Sequence, residues 1–272
     1  MLRHSTVCER VDMDLLLKDK VVVITGGAKG IGAAIARTVA QEGAIPVIVD
    51  RDTDAAQQLS EQLREAGARC SVISTDLSVA ANCASALEQT VHEFGKLDAL
   101  VNNAGINDRV GLEDGSPQRY VESLQRNLLH YYNMAHYALP HLKRSKGTIL
   151  NISSKTALTG QGGTSGYASS KGAILALTRE WAAELLPAGI RVNAIVPAEV
   201  MTPLYQQWLS TFPNSEDKLK TIVGKIPLEN RMTTADEIAA MAAFLLSPKA
   251  SHITGQHLFV DGGYVHLDRA LT

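Results

Sequence analysis

The sequence predicts an α/β fold, a doubly wound parallel sheet of seven strands with helices on both faces, and three observations carry that prediction. β-Branched runs alternate with helix-period segments along most of the 272 residues, the pattern of repeated βαβ units. A glycine-rich turn joins the first strand run to the first helical one. No Pro/Gly/Ser linker and no shift of composition divides the chain, so residues 13–272 read as a single domain.

The strand runs lie near 20–25, 45–50, 69–74, 97–101, 147–152, 190–196 and 257–260. Continuous apolar stretches such as Val21-Val22-Val23-Ile24 suit strands covered on both faces. Helical spacing fills 30–43, 53–66, 78–94, 117–143, 166–186 and 235–246; Ile31, Ala34, Ile35, Thr38 and Val39, for example, share one stripe. Residues 198–232 break the alternation: Pro203, Pro213 and Pro227 punctuate a stretch holding Tyr, Trp and Phe. An excursion there, at the carboxyl edge of a parallel sheet, is expected to be a substrate cap. Residues 1–12 lack periodicity and read as a disordered extension or an upstream start.

Charge and composition narrow the function. Lys and Arg total 26 against 28 Asp and Glu, a formal charge of −2 with no long like-charge run, which argues against nucleic-acid and membrane-surface partners. Cys8, Cys70 and Cys83 form neither a CxxC pair nor an even set, so a reducing compartment is expected and a structural zinc is not. The histidines show no metal-ligand spacing, and no metal site is assigned. Leu15-Leu16-Leu17 is too short for a signal-peptide core, and no stretch of about 18 apolar residues could span a bilayer. The expected location is cytoplasmic.

The chemistry begins at Thr25-Gly26-Gly27-Ala28-Lys29-Gly30-Ile31-Gly32. A strand, a glycine turn and a helix start place backbone N–H groups and a positive dipole end against a pyrophosphate, the Rossmann-type arrangement. The second strand ends in Asp50, whose carboxylate can accept from the adenosine ribose hydroxyls and would repel a 2′-phosphate. NAD is therefore expected, although Arg51 partly offsets the repulsion and leaves NADP open. Tyr167 and Lys171 stand four apart at a helix start and share a face. A free phenol has a pKa near 10; lowering it by about three units takes about 4 kcal/mol of phenolate stabilisation, which an ammonium and a cationic nicotinamide can supply. Tyr167 is then the proton acceptor in oxidation, with Ser154, after the fifth strand, hydrogen-bonding the reacting oxygen. A helix-surface Tyr-Lys pair and a serine pair after a strand are each common alone; the combination points to chemistry.

TGGAKGIG at 25–32, Asp76-Leu77, NNAG at 102–105, Asn127, NISS at 151–154, YASSK at 167–171 and the Pro197…Thr202 segment together resemble the short-chain dehydrogenase/reductase superfamily over about residues 18–265. The resemblance implies cofactor contacts from Gly26, Lys29, Gly30, Ile31, Gly32, Asp50, Arg51, Asp76, Leu77, Asn103, Ala104, Gly105, Pro197, Val200 and Thr202, joined by Tyr167 and by Lys171 on the nicotinamide ribose. It implies a water held by Asn127 that connects Lys171 to solvent. The superfamily normally has Pro-Gly after the sixth strand; Pro197-Ala198 here leaves the cofactor reading intact and brings Glu199 near the nicotinamide. A homotetramer through 117–143 and 166–186 is also implied.

Around this pocket the expected residues are polar: Asn107, Arg109, Lys155, Gln161 and Glu199, beside Ser154 and Tyr167, over a floor of Trp208 and Tyr205. That mixture suits a polyhydroxylated substrate better than a lipid. With TREWA at 178–182, VPAEVMTPLY at 196–205 and FVDGGYVHLDRAL at 259–271, the chain is similar to the bacterial L-fucose dehydrogenases of the superfamily. The similarity implies oxidation of the C1 hydroxyl of L-fucose, or a similar aldose, to a lactone. A 3-oxoacyl-thioester or other carbonyl reductase is the alternative, and a silent dinucleotide-binding protein the remote one. His266, Asp268 and Arg269 lie in a tail that either approaches a neighbouring subunit's pocket or frays.

Overall fold

The computed structural model describes residues 13–267; the extension expected at 1–12, with Cys8, and the tail residues Asp268 and Arg269 lie outside them. The strands are β1 (Val21–Thr25), β2 (Ile45–Asp50), β3 (Ser71–Ser74), β4 (Ala99–Asn102), β5 (Thr148–Ile152), β6 (Arg191–Pro197) and β7 (His257–Val260). They form one sheet in the order β3-β2-β1-β4-β5-β6-β7, with every pairing parallel. Winding reverses between β1 and β4, and the crevice at their carboxyl ends is where a ligand site forms in such a sheet.

The connecting helices are α1 (Gly30–Gln41), α2 (Thr53–Glu65), α3 (Ala80–Phe94), α4 (Pro117–Leu124), α5 (His130–Ser145), α6 (Ser165–Leu185), α7 (Pro203–Leu209), α8 (Ser215–Val223) and α9 (Ala235–Leu246). Alternate β1 residues serve opposite layers: Val22 and Ile24 pack with Ile35, Val39 and Ala242, Val21 and Val23 with Leu87, Met134 and Ile149. Coverage on both faces leaves β1 and β5 wholly buried, as the unbroken apolar runs require.

The helix expected over 117–143 is interrupted by one π-helical turn at Gln125–Leu129. The Asn127 side-chain amide donates to the Ser123 carbonyl at 3.0 Å, the acceptor that residue 127's own N–H would take in an α-helix. That substitution accounts for the widened turn. The proline-punctuated 198–232 segment carries α7 and α8, and its base is closed by the Val200–Thr233 bridge and by Thr233 N–H donating to the Glu199 carbonyl at 3.0 Å. Among the described residues, no helix is long and apolar enough to cross a membrane.

Candidate active site

The glycine turn after β1 is held by side chains rather than by its own flexibility. Thr25 Oγ1 accepts from the N–H groups of Asn103 and Ala104 at 2.9 and 3.1 Å. Asn103 Nδ2 returns bonds to the carbonyls of Thr25 and Gly26 at 2.9 and 3.0 Å. Gly26 has φ +61°, and a Cβ there would stand 2.8 Å from Ala104 Cα; one on Gly32 would collide with the Gly26 carbonyl. Only glycine allows these approaches. No side chain caps α1, so its first-turn N–H groups remain for a ligand.

A cleft of ≈570 Å³ opens above this turn. Of the cofactor residues named from sequence, Gly26, Lys29, Gly30, Ile31, Asp50, Arg51, Asp76, Leu77, Asn103, Ala104, Gly105, Pro197, Val200 and Thr202 line it, with Ser154, Tyr167 and Lys171; Gly32 lies beneath. The Asp50 carboxylate accepts from the Ala28 and Asp52 N–H groups, both at 3.0 Å, which orients it and leaves lone pairs for ribose hydroxyls. Lys29 is paired with Asp52 at the rim. Asp76 lies below the usual carboxylate range because Ser78 hydrogen-bonds it. The glycine cradle, uncapped helix start and strand-end carboxylate fit a dinucleotide.

The group expected to carry acid–base chemistry stands where α6 meets β5. A buried polar chain docks the helix: Asn102 donates to Asn151 at 3.1 Å, Asn151 to Thr178 at 3.0 Å, and Ser153 Oγ to the Lys171 carbonyl at 2.8 Å. Tyr167 is half-buried in the cleft wall; burial pushes its phenol up to about 12, and a hydrogen bond with Ser154 pulls the other way. Lys171, 2 % exposed, is pulled down to about 7 by loss of hydration. Its Nζ is 5.5 Å from the Tyr167 ring centroid. Asn127, wholly buried, accepts from the Ile106 N–H at 2.7 Å. A Cβ on Gly105 would stand 3.1 Å from Asn127 Oδ1 and 3.5 Å from Lys171 Nζ, so these two groups face the same spot.

The residues expected to hold substrate are spread more widely. Lys155 and Glu199 form a mostly buried ion pair with each other, and Lys155 also stands 4.1 Å over the Tyr264 ring. Lys155 and exposed Gln161 line a second cavity with Tyr264 and Leu267. Tyr205 meets Trp208 edge-on at 5.1 Å, its phenol pushed up by burial and by the Glu199 carboxylate. Arg109 stands 6.0 Å over Trp208, while Asn107 accepts from the Arg109 N–H at 3.3 Å. His266 packs edge-on against Phe259.

The short-chain dehydrogenase model described as enoyl-(acyl carrier protein) reductase matches residues 26–265. The chain belongs to the short-chain dehydrogenase/reductase family. It is 41% identical to the L-fucose dehydrogenase of Oryctolagus cuniculus over 245 residues, covering 90% of this chain and 84% of that one. Among solved structures it is similar to Cj0485 dehydrogenase, with a TM-score of 0.91, 49% identity and coverage of 96% and 99%. It is also similar to the Thermoplasma acidophilum aldohexose dehydrogenase, with a TM-score of 0.84, 32% identity and coverage of 93% and 96%. Short-chain dehydrogenases are oxidoreductases that use nicotinamide dinucleotides.

Two buried residues beside the site carry no motif. Tyr131 contacts Lys171 Nζ through its hydroxyl at 3.0 Å. His130 lines the cleft, donates from Nε2 to the Arg126 carbonyl and leaves Nδ1 without a partner; burial pulls it down to about 4. In sequence both read as members of a helix stripe.

Proposed function

We propose that the protein oxidises the C1 hydroxyl of an aldose, L-fucose or a close stereochemical relative, to the lactone with NAD. The observation that carries the reaction type is the convergence of Ser154, Tyr167 and Lys171 on the cleft above the glycine turn. The sugar is supported by relatives named for L-fucose and aldohexose dehydrogenation. When bound in its oxidised form, the dinucleotide supplies a hydride acceptor and a ring positive charge.

Gly26, Gly30 and the start of α1 hold the pyrophosphate, Asp50 the adenosine ribose, and Asp76, Leu77, Asn103 and Ala104 the adenine side of the cleft. Ser154 hydrogen-bonds the C1 oxygen. Tyr167 takes the hydroxyl proton as C1 gives up its hydride, and the remaining C1–O bond becomes the lactone carbonyl. The Lys171 ammonium stabilises the phenolate that accepts the proton, and Asn127 positions a water that connects Lys171 to solvent, the way out for the proton released by the oxidation. Arg109, Asn107 and Trp208 close the outer wall on the sugar. Exposed Tyr120, Val121, Leu129, Tyr132 and Tyr137 would be covered in a homotetramer, and the cytoplasm is the proposed location.

A screen of aldoses for NADH formation tests the reading. L-Fucose or a stereochemical relative should be turned over and a lactone recovered; silence across the sugars, with reduction of an acetoacetyl thioester instead, would replace the proposal with a carbonyl reductase. Cofactor choice has its own test. Asp50→Ser is expected to lower the NAD to NADP efficiency ratio by about 10–100-fold, the equivalent of one charge-assisted hydrogen bond. An unchanged ratio would take Asp50 out of the selection.

A further inference from the structure

Lys171 has a partner that the catalytic set does not include. Tyr131, on α5, is fully buried, and its hydroxyl donates to the Ile152 carbonyl at 2.9 Å. With that proton committed, the lone pairs of Oη are turned to Lys171 Nζ, which donates to Oη at 3.0 Å and to the same carbonyl at 2.8 Å. The three polar atoms close a triangle between α5, α6 and the end of β5. The Tyr131 and Tyr167 rings flank the nitrogen at 5.1 and 5.5 Å.

A phenylalanine would fill the same volume without a hydroxyl to bury. Here the hydroxyl sits where Ile152 and Lys171 use it. Among the described residues no carboxylate lies within ion-pair distance of Lys171, so neutral oxygens carry the whole task of holding its charge. The other groups facing this point are Tyr167 and Ser154 at the cleft, Asn127 on the π turn, and His130, whose ring lies 4.9 Å from that of Tyr131. Burial keeps the imidazole neutral, so it does not oppose the ammonium; the Asp76 carboxylate also acts on that imidazole.

We infer that Tyr131 is a positioning residue: its hydroxyl anchors the Lys171 ammonium against the end of β5, beside the Tyr167 ring, and favours the charged form of the amine. The inference rests on the reading of Tyr167 and Lys171 given above. A lysine held by one carbonyl can swing on its four-carbon stem, whereas two acceptors on different elements fix the nitrogen. Tyr131 thus acts on the reaction through Lys171, without touching substrate.

The test is Tyr131→Phe in the dinucleotide-free protein, with lysine labelled at Cε and Lys171 assigned by the signal that disappears in Lys171→Met. The Lys171 titration midpoint is expected to fall by about one pH unit, the loss of one charge-assisted hydrogen bond. Turnover of the sugar found in the screen should fall by roughly tenfold while its KM stays within about twofold, because an anchor for Lys171 does not bind substrate. A midpoint that stays in place overturns the inference even if the variant melts earlier, since packing alone would give that result. If Tyr131→Phe does not fold, 3-fluorotyrosine at position 131, which keeps the hydroxyl but weakens it as an acceptor, should move the midpoint the same way by less. Tyr167→Phe, assayed alongside, separates the two ideas. If it stays active the acid–base reading fails, whatever the midpoint does; if it is inactive and the midpoint is unmoved, only the role of Tyr131 fails.

Discussion

Replacing Tyr167 by Phe is expected to lower turnover by about 10³-fold or more, with dinucleotide affinity and thermal stability close to those of the parent. The ring, its packing in the cleft wall and its contact with Lys171 all survive; only the proton acceptor goes. Burial sets the scale of the problem that acceptor solves. Bringing the phenol from about 12 to near neutrality takes about five units, roughly 7 kcal/mol. Lys171 Nζ lies 5.5 Å from the ring centroid, and an ammonium at about that separation from the phenolate charge supplies about 3 kcal/mol at an effective dielectric of about 20. Less than half is thus covered by Lys171, and the rest falls to Ser154 and the charge of the oxidised nicotinamide. Phenolate absorbance, taken as parent minus variant, should therefore titrate far above neutrality in the free protein and move down when the oxidised dinucleotide is added. A variant that keeps more than about a tenth of parental turnover would remove Tyr167 from the mechanism.

The layers of the fold and the floor of the cleft were legible because each rests on a local pattern. Val21–Ile24 announces a strand covered twice, and Gly26, Gly30 and Gly32 mark where β1 enters α1; the structure places all of them so. Strand ends were less legible: β3 starts at Ser71 and not at 69, since Arg69 and Cys70 extend the residue pattern but not the ladder with β2. The π turn was invisible because it depends on the Asn127 side chain bonding the Ser123 carbonyl, which no hydrophobic period records. From sequence Lys155 and Glu199 are two polar groups expected to face a ligand, yet 44 positions apart they meet each other. A pairing across that distance is a product of the fold. Tyr131 was hidden by the reverse effect: an aromatic on a helix's inner stripe looks like core, and only the position of Lys171 turns its hydroxyl into a contact.

Lys171→Met should abolish turnover and make the protein more stable, and the second effect should depend on pH. Burial lowers the amine from 10.5 to about 7, a difference of about 3.5 units, or about 5 kcal/mol against the ionised form in the folded state. Because the folded value lies below the unfolded one, the unfolded chain binds the extra proton between them, and the parent's stability rises with pH across that window. Below pH 7 the amine is charged in both states and its full desolvation penalty is present; above 10.5 it is neutral in both and the penalty is gone. Methionine has no charge to bury, so its advantage is largest near pH 6 and fades toward 10.5. Little is orphaned in exchange, since the Ile152 carbonyl still accepts from Tyr131. Allowing about half the penalty to be offset by lost hydrogen bonds, the gain of about 2–3 kcal/mol corresponds to a rise of roughly 5–10 °C in a domain of this size. Calorimetry at pH 6 and pH 9 should show the larger rise at pH 6. A lower midpoint at pH 6 would mean that the buried ammonium stabilises the fold, whereas the expected rise would mark Lys171 as a residue kept for its chemistry against the stability of the chain.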